Sequence, residues 1–248
     1  MIRVVFLAHS GFLVETDGLS LLFDWWKGEL PALRPEVPLY VFASHRHPDH
    51  FDPKIFALDR YPQEVLAEDG DSRDVYFLLG KGITLDVRHR QRWGVSPETA
   101  GKCRVRQGGQ TLSLPQAEIE TLSSTDEGVA FLVTLPDGRT IFHAGDLNWW
   151  HWEGEDKAWN NNMAANFKAY TEPLRGRRID LAFLPLDPRL GEAGFWGPRY
   201  FLELADIRRV VPMHQWKDFA FTAAFLQSCP EFAERVLPVE REGQEFLL

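Results

Sequence analysis

The chain has 248 residues, a formal net charge of −9 and a sequence pI of about 5.4. This length suits one large domain or two small ones. No run of five or six like charges occurs, which argues against a nucleic-acid backbone or an anionic membrane as the partner. Two well-separated cysteines, Cys103 and Cys229, are typical of reduced residues in a cytoplasmic protein. The N-terminus has no pattern of a signal peptide, and no apolar run approaches the ~18 residues that span a bilayer.

The first quarter of the chain reads as short strands. "IRVVFLA", "GFLVETD" and "LSLLFDW" are apolar runs punctuated by glycine and aspartate. "PLYVFAS" predicts a buried strand that leads directly into a cluster of histidines. Asp52 and Pro53 are typical of a helix start. Residues 69–110 are polar and glycine-bearing, and we expect loops and short strands there.

Strands return from residue 117, and "PDG" at 136–138 indicates a hairpin turn. Trp159, Met163, Phe167 and Tyr170 recur at helical spacing, which predicts an amphipathic helix over 155–170. "IDLAFLPL", "IRRVVPM" and "QEFLL" predict strands, with helices at "GPRYFLELA" and "DFAFTAAFLQS". Two strand-rich halves with helices outside predict a layered α/β sandwich, formed as a single domain over 1–248.

The sequence "SHRHPDH", at residues 44–50, packs three of the eight histidines beside an aspartate. Imidazole and carboxylate are the usual ligands of zinc, iron and manganese. Residues two apart in an extended segment point the same way, so His45 and His47 can bind one metal. After Pro48 bends the chain, Asp49 and His50 can point to a second. A solvated polar loop is the alternative interpretation.

Two further candidate ligands also follow apolar strands. Asp146 comes after "TIFHAG", and His214 after "RRVVPM". Strand ends on one edge are where open α/β sheets place their sites. Each residue alone is weak evidence, because a lone histidine after a strand is usually a satisfied core or surface residue.

At these positions the sequence resembles the metallo-β-lactamase superfamily. "SHRHPDH", "HAGD" and "PMH" match its first ligand motif, its bridging aspartate and its last histidine, in the right order. "LAHSGFLVE" and "LLFDW" resemble the opening strands of its lactonase-like and uncharacterised metal-dependent hydrolases. The resemblance implies a four-layer αββα sandwich. It also implies two metal ions: His45 and His47 on the first, Asp49, His50 and His214 on the second, and Asp146 bridging.

The sequence departs from the family pattern at one ligand. A further histidine is expected for the first metal, but the corresponding stretch reads "TLSSTDEGVAF". Asp126 is the best substitute there, and a turn or cap aspartate is its alternative interpretation. His143 lies three residues before Asp146, and alternation would point the two to opposite faces unless the strand ends between them.

The resemblance implies a metal-dependent hydrolase that acts on a small anionic ester, phosphodiester or lactone with a metal-bound hydroxide. Asp49 would be both ligand and proton shuttle. We expect two divalent ions, zinc first, with iron or manganese as alternatives. The other function considered is a metal-binding protein of the same fold with little or no hydrolytic activity, since fold does not establish activity. The sequence carries no indication of the oligomeric state.

Other residues are candidates for supporting or substrate-contacting roles: His9, Asp24, Asp126, His143 and His151. His9 and Asp24 lie on early strands and are expected beside the metals, because ligating histidines need an outer partner. "DLNWWHWEGEDKAW" directly follows the bridging aspartate and holds four of the nine tryptophans. It predicts either core packing or a pocket wall, with His151 near the metals.

Overall fold

The computed structural model describes residues 1–60 and 74–248. These residues form two compact units, Met1–Arg106 with Glu242–Leu248, and Gln107–Arg241. The prediction of a single domain over 1–248 stays a prediction. In the described part of the chain, no helix is long and apolar enough to cross a membrane.

The first unit is built on a seven-stranded sheet in the order β15-β1-β2-β3-β4-β5-β6. Its strands are β1 (Arg3–Ala8), β2 (Gly11–Glu15), β3 (Ser20–Phe23), β4 (Leu39–Ala43), β5 (Val75–Gly80), β6 (Cys103–Arg106) and β15 (Gln244–Leu247). The β3–β4, β4–β5 and β5–β6 pairs are parallel. Every residue of β3 and β4 is buried, as continuous apolar strands of parallel sheets require. The end of β4 therefore delivers the histidine motif from a fixed position.

Short helices complete the first unit. They are a 3-10 helix at Pro53–Arg60, α1 (Val87–Trp93) and α2 (Pro97–Gly101). Asp52 accepts a hydrogen bond from the Lys54 amide (2.8 Å) at the predicted helix start. The prediction of loops and short strands over 69–110 was wrong for 87–93 and 97–101, which are helical, and residues 69–73 fall outside the described part. Asp86 caps α1 by accepting from the His89 amide, which is a local signal that hydrophobic periodicity does not carry.

The second unit is built on a six-stranded sheet in the order β14-β12-β10-β9-β8-β7. Its strands are β7 (Thr111–Leu114), β8 (Ala117–Ser123), β9 (Val129–Thr134), β10 (Thr140–His143), β12 (Leu181–Pro185) and β14 (Val210–Met213), with a separate pair, β11 (Arg178–Ile179) and β13 (Asp206–Ile207). The hairpin turn predicted at 136–138 joins β9 to β10, with Gly138 at φ 84°. Since β10, β12 and β14 are parallel neighbours, their carboxyl ends meet at one edge.

The helices of the second unit follow the predicted pattern. They are α3 (Lys157–Thr171), α4 (Trp196–Leu204) and α5 (Phe221–Ser228), with 3-10 helices at Glu172–Leu174, Pro188–Phe195 and Pro230–Phe232. The apolar face predicted for α3 is only partly buried: Phe167 is fully covered, but Trp159 is 37% exposed. Asp156 begins α3 by accepting from the Trp159 amide (2.7 Å), and this cap places Trp159 in the exposed first turn.

Candidate metal centre

The histidine motif begins where β4 ends. His45 is fully buried, and the amides of His50 and Phe51 both donate to the His47 carbonyl (3.0 and 2.9 Å), which closes a tight turn. His45 Nε2 and His47 Nδ1 lie 2.9 Å apart. Two nitrogens this close suit one metal ion, which binds imidazole at about 2.0–2.1 Å.

Asp24 holds His50 in a fixed orientation. The Asp24 carboxylate is buried directly after β3, and its Oδ2 lies 2.7 Å from His50 Nδ1. The same carboxylate accepts from the Ser44 amide (2.7 Å) and the Ser44 hydroxyl (2.6 Å). Because Nδ1 faces Asp24, the His50 ring presents Nε2 on its other side. A carboxylate on the second nitrogen is the usual support of a metal-binding histidine.

His9 lies close to Asp49 and His50, two of the predicted metal ligands in the first unit. It sits between β1 and β2, and its Nε2 is 3.4 Å from Asp49 Oδ2. His9, Asp49 and His50 each offer a ligand atom within 4.8 Å of the others. The Ser10 hydroxyl donates to the Asp49 carbonyl (2.5 Å), which ties the β1–β2 turn to the histidine motif. The supporting roles predicted for His9 and Asp24 stay predictions.

In the second unit, Asp146 follows β10 after a sharp turn. The strand ends at His143, so strand alternation does not separate His143 from Asp146. The Gly145 amide donates to His143 Nδ1 (3.1 Å) and Gly145 adopts φ 53°, which shapes the turn. Asp126 and Asp146 each offer a carboxylate oxygen within 4.8 Å of the other. Asp126 therefore lies within reach of an ion bound by Asp146.

His214 follows β14 and is supported by a carboxylate as His50 is. Its Nδ1 lies 2.8 Å from Asp187 Oδ2, and its Nε2 lies 3.4 Å from Asp146 Oδ1. Burial raises the pKa of Asp187, but hydrogen bonds from His214 and Arg189 outweigh it and hold the pKa at about 2. In each unit, an aspartate after one parallel strand thus holds a histidine that follows the neighbouring strand.

Asp187 is absent from the sequence prediction. Its signal was available, because "FLPLD" places an aspartate directly after a buried strand, as "HAGD" does. A single aspartate after a strand is nevertheless a common turn residue. Only the pairing of β12 with β14 brings Asp187 to His214.

The tryptophan-rich segment divides between two surroundings. Trp150 is buried, its Nε1 donates to the Asp146 carbonyl (3.0 Å), and its ring centroid is 5.6 Å from that of His214. Trp152 stacks on Trp150 at 6.2 Å. The His151 ring instead packs on Trp196 (4.8 Å). Trp150 is therefore buried against Asp146 and His214, whereas the His151 ring contacts Trp196.

Backbone strain is concentrated at these positions. Among the described non-glycine residues, only five adopt a positive φ: His9, Asp24, His214, Trp216 and Lys217. Three of them are predicted site residues. Such conformations are uncommon for side chains larger than glycine and cluster at functional sites. His9, Asp24 and His214 are therefore held in backbone conformations that are unfavourable for their side chains.

Comparison with known families identifies the chain. A model of the β-lactamase superfamily domain matches residues 3–157. The chain belongs to this family. A relative from Bacillus velezensis, named a metal-dependent hydrolase, is 26% identical over 86% of this chain and 84% of its own length. At the level of its family, the chain is a metal-dependent hydrolase, which confirms the predicted enzyme class.

Solved structures confirm the predicted metallo-β-lactamase fold. The metallo-β-lactamase fold protein YhfI from Bacillus subtilis matches with a TM-score of 0.61 and 15% identity, covering 100% of both chains. Igni18, a metallo hydrolase from Ignicoccus hospitalis, matches with a TM-score of 0.61 and 16% identity, covering 100% of this chain and 99% of its own. Because both sequence identities are low, these similarities establish the fold and do not extend to the activity.

Proposed function

We propose that the chain hydrolyses a small anionic ester, phosphodiester or lactone with two divalent metal ions, zinc first. The proposed ligands are those that the family resemblance implies: His45, His47, Asp49, His50, Asp146 and His214. The observation that carries the proposal is the repeated carboxylate support. Asp24 and Asp187 each face the Nδ1 of a buried histidine, and this orientation is characteristic of metal-binding histidines.

The donor chemistry fits such ions. The proposed ligands offer imidazole nitrogens and carboxylate oxygens, which suit zinc, manganese and iron. The close approach of His45 Nε2 to His47 Nδ1 (2.9 Å) fits a shared cation better than a polar surface loop. Asp126 is the proposed additional oxygen donor for the ion held by this histidine pair, in place of the family's absent histidine.

Each residue has a defined part in the proposed reaction. Two divalent ions, when bound, polarise the target oxygen and lower the pKa of water toward neutrality. The Asp49 carboxylate accepts the proton that the attacking water loses. Asp24 and Asp187 keep the histidine rings in place, and Trp150 excludes bulk water beside His214.

The proposed partner is a small-molecule substrate. A cytoplasmic location is part of the proposal and rests on the cysteines, since Cys103 and Cys229 are both free thiols. Reduced cysteines are typical of that compartment.

The test combines metal analysis with a substrate screen. Purified protein is expected to bind two ions and to hydrolyse one of bis-p-nitrophenyl phosphate, a generic ester or a lactone. His45→Ala and Asp146→Ala should each abolish turnover and lower metal content. His89→Ala is the matched control, because His89 lies on α1 and pairs with Asp86. Full metal with no turnover would instead favour a non-hydrolytic metal-binding protein.

A further inference from the structure

Arg189 is held in a defined position close to His214. Its Nε and Nη2 donate to both oxygens of Asp187 (3.0 and 2.6 Å), the carboxylate that also faces His214 Nδ1. Asp187 is fully buried, whereas the Arg189 side chain is 44% exposed. Asp187 therefore fixes the guanidinium, while close to half of the Arg189 side-chain surface remains exposed.

Two tryptophan rings flank this guanidinium. Arg189 Cζ lies 4.5 Å from the ring centroid of Trp216 and 5.4 Å from that of Trp152. Both distances are within the ~6 Å range of cation–π attraction. We call this group the aromatic–guanidinium cluster; it consists of Trp152, Arg189 and Trp216.

The position of Trp216 costs energy that packing alone does not explain. Trp216 adopts φ 51°, and the side chain remains 46% exposed. A positive φ is a genuine outlier for so bulky a residue, and an exposed ring recovers little by burial. Its Nε1 donates to Asp187 Oδ2 (3.3 Å), which fixes the ring over the guanidinium. The strained backbone and this hydrogen bond therefore together hold the exposed Trp216 ring beside the guanidinium.

The cluster is continuous with the proposed ligands of the second unit. Trp152 stacks on Trp150, Trp150 packs against His214, and the His214 ring lies 5.7 Å from that of Trp216. A molecule that contacts Arg189 therefore lies near His214.

We infer that the aromatic–guanidinium cluster binds an oxyanion of the substrate, a carboxylate or phosphate, with an adjoining planar apolar part against the tryptophan rings. The inference deepens the proposed function and rests on it for the identity of the reaction. A guanidinium offers several donors in one plane and matches such oxyanions in geometry. If Arg189 served only as the counterion of Asp187, neither the two tryptophan rings beside it nor the strained, exposed Trp216 would be needed.

Benzoate is the probe for binding, with neutral benzamide as its isostere. Quenching of tryptophan fluorescence in metal-loaded protein is expected to saturate with benzoate and not with benzamide. Arg189→Gln should weaken benzoate binding about ten- to a hundredfold, because it removes a charge-assisted contact. Trp216→Leu keeps the Arg189–Asp187 pair and should weaken binding severalfold. Arg175→Gln, which breaks an exposed pair with Glu172, is the matched control and should bind as the parent does.

A kinetic measurement ties the cluster to turnover. Arg189→Gln should raise KM for anionic bis-p-nitrophenyl phosphate about tenfold more than it raises KM for neutral p-nitrophenyl acetate, with metal content measured in each variant. Equal benzoate binding by the parent and Arg189→Gln at equal metal content, or equal KM changes for both substrates, would overturn the inference. Selective benzoate binding without any hydrolysis would support the cluster and reject the proposed reaction.

Discussion

Replacing Asp24 with asparagine tests the orientation of His50 with almost no change of shape. A carboxylate only accepts hydrogen bonds, so His50 Nδ1 carries the proton when it faces Asp24 Oδ2 at 2.7 Å. The asparagine oxygen can keep the contact of Oδ1 with the Ser44 amide (2.7 Å). Its NH₂ group then meets His50, which must move its proton to Nε2 and can no longer bind a metal through that atom.

The expected loss follows from this change of tautomer. Removing a supporting carboxylate lowers metal affinity about 10- to 100-fold, which corresponds to about 1.4–2.8 kcal/mol. Competition with a chromogenic chelator measures the affinity, and the melting temperature of metal-free protein reports on folding. Asp137→Asn is the control, because Asp137 pairs with Arg139 on the surface. If folded Asp24→Asn protein binds metal within twofold of the parent, the assigned role of Asp24 is wrong.

Three further substitutions give distinct expectations. A Cβ on Gly80 would overlap the Ser44 carbonyl, whereas one on Gly101 meets nothing within 4 Å; Gly80→Ala should therefore cost about 1–3 kcal/mol of unfolding free energy and lower metal content, and urea titration should show Gly101→Ala unaffected. The pKa of Asp187 is lowered from 3.8 to about 2 in the folded protein, which stabilises the fold above pH ~4, and this stabilisation disappears as pH falls toward 2. Between pH 5 and pH 3, the free energy of unfolding, measured with urea, should therefore fall by about 1 kcal/mol more for the parent than for Asp187→Asn. Equal decreases in the two proteins would contradict this expectation. Chelator dialysis should remove two metals stepwise, with Asp126→Asn loosening the weaker one more; simultaneous release, unchanged by the substitution, would reject Asp126 as a ligand.

The sequence predicted the elements that packing decides. Every residue of a strand such as β4 is buried, so its sequence is a continuous run of apolar residues that can be recognised without the structure. The short helices α1 and α2 were not predicted because their signals are caps. Helix α1 is capped by Asp86 at its start and by Gly94 at its end, and it has no buried residue and hence no apolar stripe.

The proposed ligands were readable from sequence, but their supporting carboxylates were only partly so. His45, His47, Asp49 and His50 are neighbours in the chain, so their spacing is informative. Asp24 and His50 are 26 positions apart, and Asp187 and His214 are 27 apart. Which aspartate meets which histidine depends on the parallel pairing of their strands, and this pairing is not encoded in local spacing.

The aromatic–guanidinium cluster depends still more on tertiary structure. Trp152, Arg189 and Trp216 come from three separate segments, and only Trp152 lies in a segment that the sequence marks as a possible pocket wall. Their common feature is contact with one guanidinium. The positive φ of Trp216 was also unpredictable, because no sequence signal accompanies strain that tertiary contacts impose.

The most direct measurement of the central claim is hydrolysis as a function of bound metal. Metal-free protein is titrated with Zn²⁺, and turnover of the substrate found in the screen is recorded at each equivalent bound. The proposal predicts no turnover without metal, and full activity only as the second equivalent binds. Hydrolysis by the metal-free protein, or maximal activity with one bound equivalent, would contradict a two-metal hydrolytic centre.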